Sequence, residues 1–161
     1  MKENIIKLER AEKDEQYRHL IPQIEALLAA ETDIIANMAN VSAVLKEVFD
    51  FFWIGFYRVD GRQLVLGPFQ GSLACSRIAY ERGVCGAAWE KSQSIVVPDV
   101  DAFPGHIACS SLSRSEIVVP MIKAGVVIGV LDIDSDTLAA FDETDSYWLE
   151  QIVALIVHYS Q

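Results

Sequence analysis

The spacing of apolar residues changes repeatedly along the chain, and each change marks an element. Residues 13–30 place Tyr17, Leu20, Ile21, Ile24, Leu27 and Leu28 at helical spacing, with Pro22 expected to kink or restart the helix. Residues 33–49 repeat the pattern through Ile34, Ile35, Met38, Val41, Val44, Leu45 and Val48. Aromatic and β-branched residues then take over from Phe51 to Val59, which predicts a strand, and Asp60-Gly61 predicts a hairpin turn into residues 63–66. Residues 67–85 are glycine-rich and predict irregular backbone, followed by a short helix from about Gly86 to Lys91 and a short strand from Ser94 to Val97. Residues 98–114 read as a long loop, and loops of that length inside a compact domain usually carry function. Two further strands, Glu116 to Ile122 and Val126 to Asp134, flank a turn at Lys123-Ala124-Gly125. Asp142 predicts the cap of a last helix with its stripe on Trp148, Leu149, Ile152, Val153, Ile156 and Tyr159.

This order predicts an α+β domain: an antiparallel sheet with helices covering one face. A chain of 161 residues most economically forms one domain, spanning 1–161 with its core from about 17 to 159. Hydrophobic residues at 52% suffice for a full core without a metal or a structural disulfide. A net charge of −10 argues against nucleic-acid binding, since no basic stripe is available for phosphates. No apolar run approaches membrane-span length, and the charged start MKENIIKLERAEKDEQ lacks the apolar centre of a signal peptide. The expected compartment is therefore the reducing cytoplasm, where cysteines are more often reactive than structural.

The candidate chemistry lies in the middle of the chain. Cys75, Cys85 and Cys109 form an odd set, so at least one thiol stays free. Cys109 sits in the long loop among serines near Arg114, a setting compatible with a reactive thiolate. Gly83 and Gly86 bracket Cys85 and let backbone approach a ligand or a packing partner. Asp132 and Asp134 are two apart on a predicted strand and share a face, and Glu116 on the partner strand can join them. Their neighbours are almost wholly apolar, which predicts a buried acidic pocket in which at least one carboxyl holds its proton near neutral pH. Trp53 and Tyr57 share one face of their strand, as core or as a pocket wall. His106, three residues before Cys109, lacks companions at zinc spacing and reads as a residue that orders the loop.

The runs FFWIGFYRVD, LVLGPFQGSLACSRI, RGVCGAA, VPDVDAFPGHIACSSLSRSEIVVP and IGVLDIDS closely resemble the free methionine-(R)-sulfoxide reductases, which are built on a GAF domain. The resemblance runs from about Tyr17 to Tyr159 and includes the spacing of all three cysteines. Phe52 and the lead-in IAYERGVCG depart from the family pattern without touching a residue expected to do chemistry. The resemblance implies a single GAF domain with a six-stranded antiparallel sheet and flanking helices, commonly a homodimer. It implies reduction of free L-methionine-(R)-S-oxide, a function in oxidative stress, with Cys109 as nucleophile, Cys75 as resolving thiol and Cys85 as an auxiliary thiol. Glu116, Asp132 and Asp134 fall on the family's acidic substrate residues, and Trp53 and Tyr57 on its aromatic pocket. No bound cofactor is implied, and electrons would come from thioredoxin and NADPH. Two other classes remain open at this point: a ligand-sensing GAF module, against which the lack of an attached output domain counts, and a thiol redox sensor for a protein partner.

Overall fold

The computed structural model describes residues 4–161; the first three residues of the charged N-terminal segment lie outside the described residues. Two helices, α1 (Lys13–Ala29) and α2 (Ile34–Phe49), precede strands β1 (Trp53–Asp60), β2 (Gln63–Gln70) and β3 (Arg77–Ala79). Helix α3 (Gly83–Lys91) and strand β4 (Ile95–Val97) follow, then a single 3-10 turn at Val100–Ala102 inside the long loop. Strands β5 (Ser115–Lys123) and β6 (Val126–Ser135) and helix α4 (Glu143–Tyr159) complete the chain. All six strands form one antiparallel sheet in the order β3-β2-β1-β6-β5-β4. Among the described residues, no helix is long and apolar enough to cross a membrane.

Strand periodicity divides the sheet's side chains between two apolar clusters. Ile54, Phe56, Ile117, Val119, Met121, Leu131 and Ile133 meet the apolar stripes of α1, α2 and α4. On the opposite face, Trp53, Tyr57, Val118 and Val130 meet Val84, Cys85 and Ala88 of α3 together with Val97 and Val100. The expectation of helices on one face is thus corrected: α3 roofs the second face. Burying a Leu, Ile or Phe side chain contributes about 1.5–3 kcal/mol, so each face is held without help from the chemistry.

Several boundaries also differ from the pattern-based expectation. Helix α1 runs through Pro22, whose side chain is exposed while Leu20 and Ile24 on either side are buried in the core. Ile35 turns out of the α2 stripe and is 40% exposed. Strand β2 continues past Leu66 to Gln70, and β3 forms inside the stretch expected to be irregular. Helix α3 begins at Gly83, so Cys85 is helical. The α4 cap is as expected and is reciprocal: Asp142 accepts from Thr144 N and Asp145 N, while Asp145 accepts from Asp142 N.

Candidate active site

The sheet register sets the site's floor. Trp53 pairs with Asp134, Asp134 with Glu116 and Glu116 with Val97, so Trp53 and two carboxylates lie abreast across three strands. In the next row on the same face, Gly55 pairs with Asp132 and Asp132 with Val118. Tyr57 follows one row further, opposite Val130.

Gly55 makes room for the aromatic wall. A Cβ there would lie 2.4 Å from the far edge of the Trp53 indole and 2.5 Å from Phe69 Cβ, so a side chain at this position would displace the ring. The indole stacks on Phe69 at 5.5 Å and donates from Nε1 to the Ser72 carbonyl at 3.0 Å. Tyr57, fully buried, donates its hydroxyl to the Cys75 carbonyl at 2.9 Å. The two aromatics therefore fix the β2–β3 connection that carries Cys75.

Helix α3 and the loop at 98–114 form the roof. Cys85 is 3% exposed, and its Sγ and one oxygen each of Glu116 and Asp132 lie within 4.8 Å of one another. Gly86 serves packing rather than a ligand, because a Cβ there would stand 2.9 Å from the Glu81 carbonyl carbon. His106 Nε2 lies 3.3 Å from Glu116 Oε2. Cys109 is exposed at the rim and forms a disulfide with Cys75, their Cα atoms 5.5 Å apart; Cys85 is free. Trp53, Tyr57, Cys85, Cys109, His106, Glu116, Asp132 and Asp134 all line one cavity of about 40 Å³.

Burial dominates the electrostatics. It pushes Glu116 up to about 8, with repulsion from Asp134 adding to the effect. Asp132 and Asp134 are also raised, first by burial and then by the neighbouring carboxylate, Glu116 in one case and Asp132 in the other. The Cys85 thiol is pushed up by burial and by the nearby Asp132. Burial lowers His106, against the opposing pull of Asp132 and Asp101. Asp132 Oδ1 is buried with no hydrogen-bond partner among the described residues. A buried carboxylate oxygen left unpaired is costly, and its natural complement is a donor or a cation brought by a ligand.

The sequence pattern that defines the GAF domain matches residues 29–158. The chain is 48% identical to the free methionine-R-sulfoxide reductase of Escherichia coli (strain K12), over 88% of this chain and 87% of that protein. It superposes at a TM-score of 0.92 and 56% identity on the X-ray structure of free methionine-R-sulfoxide reductase from Neisseria meningitidis in complex with its substrate, covering 94% of this chain and 92% of that one. The chain belongs to the GAF-domain family of free methionine-R-sulfoxide reductases. It is also 58% identical to GAF domain-containing protein A of Dictyostelium discoideum, over 94% of this chain and 96% of that protein.

In this reductase-family chain the structure collects Trp53, Tyr57, Cys85, Cys109, Glu116, Asp132 and Asp134 around one cavity, with Cys75 joined to Cys109. Three features differ from expectation. Arg114 is exposed and does not line the cavity; Arg82 does. His106 orders the loop by reaching into the acidic cluster, as a member of the site. The first turn of α3 (Gly83, Val84 and Cys85) also lines the cavity, and its N-cap Arg82 supplies no side-chain cap. Gly83 opens that helix at a positive φ of 62°, a backbone conformation that glycine adopts without strain.

Proposed function

We propose that this chain reduces free L-methionine-(R)-S-oxide to L-methionine by thiol chemistry. The observation that carries the reading is the Cys75–Cys109 disulfide, with Cys109 exposed and Cys75 half-buried, at the rim of a cavity floored by three buried carboxyls and walled by Trp53. A sulfoxide is a poor electrophile until its oxygen is protonated, and Glu116, held near 8, keeps a proton to give at neutral pH. In reduced protein, the Cys109 thiolate attacks sulfur, the protonated oxygen passes to Cys109 and methionine leaves, so that Cys109 becomes a sulfenic acid. The Cys75 thiol then displaces water and closes the disulfide, which accounts for both electrons. A dithiol reductant of the thioredoxin type, fed by NADPH, reopens it through a mixed disulfide. The cycle needs no bound cofactor. Cys85 is too deeply buried to exchange with an external thiol, and its sulfur lies beside Asp132 and Glu116 within the acidic cluster.

Charge complementarity supports a free amino acid as substrate. Asp132 and Asp134 can ionise when an ammonium arrives, because the new cation offsets their mutual repulsion. Arg82 and the first-turn N–H groups of α3 complement a carboxylate at the other end. The apolar S-methyl group fits the Trp53 wall. A cavity that closes around the amino acid would exclude methionine sulfoxide within a polypeptide. The same proposal includes a homodimer in the cytoplasm with a function under oxidative stress; the family resemblance supports those parts.

The test is a thioredoxin-coupled NADPH assay on separated diastereomers. Turnover is expected with the free R-sulfoxide and absent with the S-sulfoxide and with a peptide-bound sulfoxide. Equal rates on both diastereomers, or none on either, would overturn the reading. Cys75→Ser should still complete one turnover per molecule but recycle poorly, with mass spectrometry finding oxidised Cys109 and no Cys75–Cys109 bond.

A further inference from the structure

We propose that Cys85, Glu116 and Asp132 form a zinc site inside the cavity, occupied in competition with the amino-acid substrate. The three donor atoms come from α3, β5 and β6 and lie within 4.8 Å of one another, all three residues buried. Tetrahedral zinc, with Zn–S near 2.3 Å and Zn–O near 2.1 Å, spaces its ligands about 3.4–3.7 Å apart. Closing from 4.8 Å asks each pair of ligand atoms to approach by at most about 1.4 Å, a movement shared between two side chains. The set is chemically selective: a thiolate with two carboxylates suits a borderline ion such as zinc, whereas calcium and magnesium favour oxygen alone.

A second observation points to a ligand independently of the spacing. Asp132 is 6% exposed, and its Oδ1 makes no hydrogen bond among the described residues, so the site presents an unspent lone pair to whatever enters. His106 stands 3.3 Å from Glu116 Oε2 and can brace that carboxylate from behind, the arrangement that orients ligands in zinc sites generally. A fourth ligand would come from the cavity that the three residues line, as water. Zinc takes the thiolate, so the Cys85 proton leaves on binding. Linear motifs cannot reveal the site, because its ligands are 16 and 31 residues apart along the chain (85 to 116 is 31, 116 to 132 is 16).

The disulfide form offers a clean test, since Cys85 is then the protein's single thiol. Titrating that form with cobalt(II) should develop a near-ultraviolet sulfur-to-cobalt charge-transfer band, which added zinc bleaches. Cys85→Ala should show no band. Asp132→Asn, which keeps the thiol and the shape, should weaken zinc binding at least tenfold by calorimetry. A wild-type protein without the band, a band that survives Cys85→Ala, or wild-type zinc affinity in Asp132→Asn would each overturn the site. The readout does not depend on sulfoxide reduction. A missing band beside intact R-sulfoxide turnover removes the metal site alone, and a band in a protein that reduces no sulfoxide leaves the metal site standing.

Discussion

Two buried aspartates, Asp145 on the helix-covered face and Asp132 on the cavity face, show how differently one sheet uses its sides. Asp145 is 1% exposed and saturated: Lys13 Nζ donates at 2.6 Å, the Tyr17 hydroxyl at 2.7 Å and the Asp142 N–H at 3.0 Å. These bonds tie α1 to α4 and complete a helix cap. Asp132 is 6% exposed and has carboxyls and a thiol for neighbours, with one oxygen unpaired. The first carboxylate is arranged for the folded chain and the second for something that arrives later. A buried charge is therefore informative only together with its partners.

The contrast can be broken or sharpened by substitution. The largest effect is expected from Cys109→Ser, which should abolish turnover in the coupled assay because a hydroxyl near neutral pH does not replace a thiolate toward sulfur. Its thermal midpoint under reducing conditions should match wild type; measurable R-sulfoxide reduction by this variant would remove Cys109 as nucleophile. Next, Asp145→Ala should cost about 3 kcal/mol of stability in urea unfolding, since it strands Lys13 and Tyr17 and removes a cap. In the fraction that stays folded, kcat should be close to wild type. A neutral Asp145→Ala would erase the distinction between the faces.

Glu116→Gln and Asp134→Asn should show the reverse, with folding intact and kcat/KM lowered about 10- to 100-fold, the usual effect of losing one charge-assisted hydrogen bond. Wild-type kinetics in both variants across pH 6–9 would send the proton donor elsewhere. The smallest effect is on the pH dependence of stability. Folded Glu116 keeps its proton up to about 8, whereas its ordinary value is 4.5. The folded state binds the extra proton across that window, so this contribution is full below about 4.5 and is lost as pH rises through about 8. In chelator-treated buffer, wild type should lose stability from pH 5 to 8.5 relative to Glu116→Gln; parallel curves would show that Glu116 is ionised in the fold.

Period-two alternation made the cavity floor legible in the sequence. It put Asp132, Asp134 and Glu116 on one face and Trp53 with Tyr57 on another strand's matching face, and the register then set them side by side. The stripes of α2 and α4 were legible for the same reason. The roof was not. Strand β3 has three residues with only Ile78 buried, too short for alternation to register. Glycines at 83 and 86 hid the helical state of Cys85, because low helix propensity there is overridden by close packing against Glu81. Nothing in one dimension distinguishes Arg82, which reaches the cavity, from Arg114, which does not. The Cys75–Cys109 pairing came from the family resemblance, since three thiols alone allow other pairs.

The disulfide has a consequence beyond the reaction. Cys75 follows β2 on one side of the sheet and Cys109 precedes β5 on the other, so the bond staples the β3-β2 edge to the β5-β4 edge across the cavity mouth. Closing a loop across a sequence separation of 34 removes roughly 4 kcal/mol of freedom from the unfolded chain in the chain-entropy view. The disulfide form should therefore be the one that a protease opens least readily. Under the proposed cycle, that form would outlast the dithiol form when electrons run short and would make a durable reserve, recovered as soon as reductant returns. Limited proteolysis with and without dithiothreitol reads this difference in lifetime, and equal digestion of the two forms would deny it.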